Sequence, residues 1–225
     1  MATVRCSLFI EIMSGQRLEQ ACTAELIDGS VILLRQLELS DAEEILVLYE
    51  SLTDEERYFR FFAMHPAHLE DWARSIAEHG SDQYSLGAFS AGRLLGVANY
   101  NACREPGYAE MAVVVAHAEH LRGVGTALLR WLGEIARMNG VHHLVAEVLW
   151  ENHLLLRVLS DAGWTCTRPP IDLKGDQSHW CSCERSCDPD TQVVHEDQKC
   201  SSWCWPTHCT CGMSGEKRCM PENQR

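Results

Sequence analysis

Positive charge is scarce in this chain: 19 Lys and Arg face 32 Asp and Glu among 225 residues, a formal net charge of −13 at pH 7. That balance argues against nucleic acid or an anionic membrane surface as the main partner. It suits a cationic partner, such as a lysine side chain or a polyamine. No apolar run is long enough to cross a bilayer. The first fifteen residues hold one Arg and a short apolar patch broken by Glu11, with no cleavage site after it, so a secretory signal is rejected and a cytoplasmic protein is expected. The dinucleotide fingerprint GxGxxG is missing, and so is the Lys-Ser/Thr of a P-loop.

What is present is enough apolar content, 46%, for one core. The stretch that organises it covers residues 108–129: an alternating apolar run, a connector, the turn Arg122-Gly123-Val124-Gly125 and an amphipathic helix. A strand that empties into a glycine turn where a helix begins leaves backbone N–H groups unpaired at one spot, and the helix dipole adds positive potential there. Such a spot binds phosphate. Side chains at the two glycine positions would keep the ligand's oxygens from the backbone.

Around this stretch the pattern alternates. Residues 30–37 read as a strand, and Ser40-Asp41-Ala42-Glu43 as a capping box opening a helix to about residue 51. A second box, Thr53-Asp54-Glu55-Glu56, starts a short helix carrying Arg57, Tyr58, Phe59, Arg60, Phe61 and Phe62. A third helix is expected over 68–78, a hairpin over 84–101, a helix to Gly140, a strand over 142–149, a helix over 152–162 and a strand from Trp164. Glu110 interrupts an otherwise apolar strand. By alternation it shares a face with Tyr108, Ala112 and Val114, which leaves two readings: a residue turned to water, or a buried carboxylate with a raised pKa.

His120-Leu121-Arg122-Gly123-Val124-Gly125 matches the Gln/Arg-x-x-Gly-x-Gly/Ala signature of the GNAT acetyltransferases, with His120 in place of Gln or Arg. Together with Arg57-Tyr58-Phe59-Arg60-Phe61 and the run of Ala109, Glu110, Met111, Ala112, Val113, Val114 and Val115, it makes residues 30–164 resemble that family, and within it the bacterial protein lysine acetyltransferase domains. The resemblance implies an α+β fold, a central splayed mixed sheet with helices on both faces. It implies an acetyl-CoA-dependent N-acetyltransferase acting on a primary amine, a protein lysine first, by direct attack with Glu110 as general base and Glu105 as fallback. It further implies that Val113, Val114 and Val115 pair with pantetheine, that His120, Leu121, Arg122, Gly123, Val124, Gly125 and Thr126 hold the pyrophosphate, and that Asn152 contacts the coenzyme, a residue that otherwise serves as an N-cap. Leu159 stands where many relatives carry a tyrosine acid. A small-amine or antibiotic acetyltransferase, and an inactive acyl-CoA-binding module, are the alternatives. A homodimer is compatible with each.

Three segments are expected: an extension over 1–24, the domain over 25–175 and a tail over 176–225. The tail has no Leu, Ile, Phe, Tyr or Ala but eight of the twelve cysteines, so it is expected to build no core and to be disordered unless stapled. Its CxC and CxxxC spacings lack the paired CxxC knuckles of zinc ribbons, and no residue is assigned as a metal ligand. His142 and His143, adjacent on a strand, point to opposite faces. Cys6, Cys22, Cys103 and Cys166 are expected to be reduced. The short stretch after Trp164, broken by Pro169 and Pro170, puts closure of the sheet in question.

Overall fold

The structure, a computed structural model, describes residues 7–8, 21–61, 63, 68–78, 80–167 and 180–187. Its strands are β1 (Ser7–Leu8), β2 (Cys22–Glu25), β3 (Val31–Gln36), β4 (Gln83–Ser90), β5 (Arg93–Ala102), β6 (Tyr108–Val115), β7 (His143–Leu149), β8 (Thr165–Thr167) and β9 (Trp180–Ser186). They form one sheet in the order β1-β2-β3-β4-β5-β6-β7-β9-β8. Neighbours are antiparallel except β6 and β7, which run parallel because α4 (Val124–Met138) crosses over between them. Helices α1 (Ala42–Glu50), α2 (Asp54–Phe61) and α3 (Leu69–Ala77) lie between β3 and β4 in the chain, and α5 (His153–Asp161) between β7 and β8.

Alternation along the strands sorts side chains into two cores. Leu34, Leu86, Ala98, Met111, Leu144 and Ala146 pack with α4 and α5 in one, while Leu37, Phe89, Val97 and Val114 pack with α1, α2 and α3 in the other. The expected mixed sheet with helices on both faces is therefore found. Leu128, Leu129, Leu132 and Ile135 anchor α4 at essentially zero exposure, each burial worth roughly 2 kcal/mol.

Three expectations need correction. The break after residue 24 cuts a strand: β2 pairs with β3 from Cys22↔Leu34 onward, and Cys22 and Ala24 are buried in the core. The break at 175 fails likewise, because β9 lies between β7 and β8, pairing Ala146↔Cys183 and Cys166↔Cys183, and closes the sheet. Aliphatics are missing there, but a cysteine packs as a small hydrophobe, and Cys183 is fully buried. Ahead of α1 the box is formed two residues earlier, on a 3-10 turn (Leu39–Asp41), with Glu38 and Asp41 rather than Ser40 and Glu43, and Arg35 holds Asp41 at 2.7 Å. The second box forms as expected: Thr53 N donates to Glu56 Oε2 at 2.8 Å, and Glu56 N to Thr53 Oγ1 at 3.2 Å. Phe62, Cys6, Pro169, Pro170 and the cysteines from Cys200 onward lie outside the described residues.

Candidate active site

β6 and β7 begin as a pair and end apart. Their register runs Tyr108↔His143, Ala109↔Leu144 and Glu110↔Val145, and stops there. Beyond it β6 stays on β5 as far as Val115, and β7 stays on β9 as far as Leu149. The backbone of β6 after Glu110 therefore has no strand partner on its β7 side, and a wedge opens between the two strands. Its closed end is fastened: the Tyr108 and His143 rings stack at 4.4 Å, and His143 Nδ1 lies 2.8 Å from Glu184 Oε1 of β9.

Glu110 stands at the fork. Ala109 and Met111 face α4, so Glu110 takes the opposite face with Val114, toward α1, α2 and α3. The same alternation on β7 turns Glu147 to that side, because Leu144, Ala146 and Val148 face the α4 core. Burial, and then the negative charge of Glu147, push the Glu110 carboxyl up from its ordinary range to about 6, with Arg60 pulling the other way. Burial also raises Glu147. Arg60 of α2 is buried, its guanidinium 4.9 Å from the Trp72 ring centre and 5.3 Å from that of Phe61. Of the α2 aromatics, Phe61 is thus core and Tyr58 is exposed. Glu105 lies exposed in the turn before β6, at the fastened end of the pair.

The open end of β6 leads into the glycine turn. After a 3-10 turn (His117–Glu119), Leu121 has φ 61° and Gly123 has φ 97°, left-handed conformations that bend the chain into α4. The first helical bond runs from Ala127 N to Gly123 O at 3.0 Å, so the amides of Val124, Gly125 and Thr126 have no acceptor within the helix. No side chain caps this end and its first turn carries no acid. A Cβ at Gly125 would stand 3.4 Å from Val158 Cγ1 and 3.6 Å from Val115 Cγ2, ordinary contact distances, so packing against these side chains does not by itself demand glycine there.

Arg122 turns its side chain away from these amides. It pairs with Asp28 at 2.7 Å, with Ser30 Oγ at 3.0 Å and with buried Glu119, which Arg93 also holds. Ile27 N donates to Arg122 O at 3.1 Å. The turn between β2 and β3 therefore braces the glycine loop, a role the sequence does not reveal because Asp28 and Arg122 are 94 residues apart. His120 likewise points elsewhere, with Nε2 3.0 Å from Val115 O. Asn152 Oδ1 accepts from Leu155 N at 3.0 Å and caps α5. Leu159 is fully buried and apolar.

The site thus combines an uncapped helix start, a strand edge with no strand partner on its β7 side, and at the fork a carboxylate whose pKa is raised to about 6. Residues 32–165 match a family model described as the acetyltransferase (GNAT) domain. Acetyltransferase PA5475 of Pseudomonas aeruginosa is 29% identical over 151 residues, covering 64% of this chain and 81% of that protein. The crystal structure of the GNAT domain of S. lividans PAT superposes with a TM-score of 0.65 at 28% identity, over 74% of this chain and 96% of that one. The structure of yncA from Salmonella typhimurium with its cofactor acetyl-CoA shares the fold, with a TM-score of 0.55 at 17% identity over 72% and 96% of the two chains.

Proposed function

Because the chain belongs to the GNAT acetyltransferase family, we propose that it moves the acetyl group of acetyl-CoA onto a protein lysine, with Glu110 as general base. The observation that carries this reading is the end of β6–β7 pairing at Glu110↔Val145, which sets a carboxylate beside an opening that leads to the uncapped start of α4. Acetyl-CoA is the cosubstrate, and it supplies an activated thioester. The residues fit it: the amides of Val124, Gly125 and Thr126 suit its diphosphate, and the β6 edge over Val113, Val114 and Val115, which has no strand partner on its β7 side, suits the amides of its pantetheine arm.

A lysine ammonium has a pKa of about 10.4 and no lone pair to attack with. Glu110, ionised above its value of about 6, takes that proton directly or through a water. An N–H on the β6 edge steadies the charge that develops on the acyl oxygen. Buried Leu159 offers no proton, so the leaving thiolate is protonated by solvent.

A further fact supports lysine. Residues 1–173 contain no lysine, the three being Lys174, Lys199 and Lys217, so a lysine-directed centre has no target of its own within the matched domain. The use of acetyl-CoA fits work in the cytoplasm, and among the described residues no helix is long and apolar enough to cross a membrane.

Thiol release from acetyl-CoA with lysine-containing protein, polyamine and aminoglycoside acceptors tests the reading. Turnover is expected on the protein. Turnover confined to the small amines would make this a small-amine enzyme, and coenzyme binding without release on any acceptor would make it a binding module.

A further inference from the structure

Glu56, His117 and His120 meet on the outer side of the glycine turn, where α2 approaches the connection between β6 and α4. His117 Nδ1 lies 2.8 Å from Glu56 Oε1, His120 Nε2 lies 3.5 Å from the same oxygen, and the three donor atoms all fall within 4.8 Å of one another. Val115 O adds a fourth donor, 3.0 Å from His120 Nε2. The other carboxylate oxygen of Glu56 accepts from Thr53 N, so the α2 capping box orients this group in advance.

Ligand atoms around a tetrahedral zinc at about 2.1 Å stand roughly 3.4 Å apart. The separations of 2.8, 3.0 and 3.5 Å lie around that value. An ion pair between Glu56 and one histidine would engage one imidazole; here two converge on one oxygen, with a carbonyl beside them. Two imidazoles with a carboxylate and a carbonyl form a borderline nitrogen–oxygen set, suited to Zn²⁺ or Ni²⁺ rather than to Mg²⁺ or Ca²⁺, which prefer all-oxygen shells.

We propose that Glu56, His117 and His120 bind a divalent transition metal of the zinc class, which clasps α2 to the turn that opens α4. Val115 and His120 flank the free strand edge and the glycine loop, while α2 carries Arg60 beside Glu110. A metal at this point ties the coenzyme side of the site to its acceptor side. Glu56 and His117 are 61 residues apart and in no recognisable spacing, so the sequence alone does not bring them together.

The test is calorimetric titration of the full chain with Zn²⁺, after its accessible thiols have been alkylated with iodoacetamide so that the Cys-rich segment does not compete. One equivalent is expected to bind. His117→Ala and Glu56→Gln are each expected to weaken that binding by at least roughly 10- to 100-fold, the loss that even an outer-shell partner causes. Co²⁺ in the same protein is expected to show d–d bands without thiolate charge transfer. Absence of the equivalent in the alkylated parent, an unchanged affinity in either variant, or a thiolate band with Co²⁺ overturns the site. None of these readouts depends on acetyl transfer, so the metal site and the proposed reaction stand or fall separately.

Discussion

β6 runs into α4 and β7 runs into α5, and the two strands start side by side, but the helices that follow begin in opposite ways. At α5 the Asn152 side chain accepts from Leu155 N and satisfies the helix start internally. At α4 the N-cap is Gly123, with no side-chain acceptor and no acid in the first turn. The other described helices have what α4 lacks: α1, α2 and α3 each carry two or three acids in the first turn. α4 is thus the described α-helix that has neither a side-chain cap nor an acid in its first turn, and the proposed diphosphate would supply the charge that its start lacks. The strands differ in the same spirit. Each carries one carboxylate toward α2, but Glu110 sits where pairing ends and Glu147 lies beyond it.

The comparison breaks most visibly at Glu110. Glu110→Gln is expected to lower turnover by about 10²- to 10⁴-fold with coenzyme affinity retained in calorimetry. Because the folded-state value of about 6 lies above the ordinary value of 4.5, the folded protein holds this proton more tightly than the unfolded chain does. Stability is thus lost as pH rises through that window, and the Gln variant is expected to be the more stable form above pH 6, by up to about 2 kcal/mol, in urea unfolding. Parent activity is expected to fall as pH drops below about 6.

Making α4 resemble the acid-capped helices is the next largest change. Thr126→Glu places a carboxylate in the first turn, and is expected to stabilise the helix by about 0.3–1 kcal/mol while weakening coenzyme A binding about tenfold or more. Calorimetry and thermal unfolding read the two opposite signs. Glu147→Gln removes the like charge facing Glu110. Its acid limb is expected to move to lower pH in the rate profile, with turnover at pH 8 changed by less than about tenfold. The smallest effect belongs to the capped helix: Asn152→Ala is expected to cost about 1 kcal/mol in chemical denaturation.

Where local pattern decides conformation, the sequence could be read. Alternation in β6, the three- and four-residue spacing of Leu128, Trp131, Leu132 and Ile135, and the Thr53–Glu56 box each specify their element through neighbours a few residues away. The wedge between β6 and β7 came only through the family resemblance, because divergence of two strands leaves no periodic trace in either. Glu147, the one acid in β7, has no meaning in the sequence until the face that Glu110 takes is known. The long-range brackets, Arg122 with Asp28 and Glu56 with His117, are set by tertiary contact alone. β9 carries no aliphatic side chain, so its burial leaves no hydrophobic pattern of the usual kind in the sequence.

That last strand has a consequence for how the molecule is assembled. β9 is made after β8 yet occupies the lane inside it, and β8 touches the sheet only through β9. The growing chain therefore cannot complete its fabric from one selvedge to the other in the order of synthesis. The flank of β7 has to wait bare until a cysteine-bearing thread is drawn back along it, and β8 can be woven in only onto that thread.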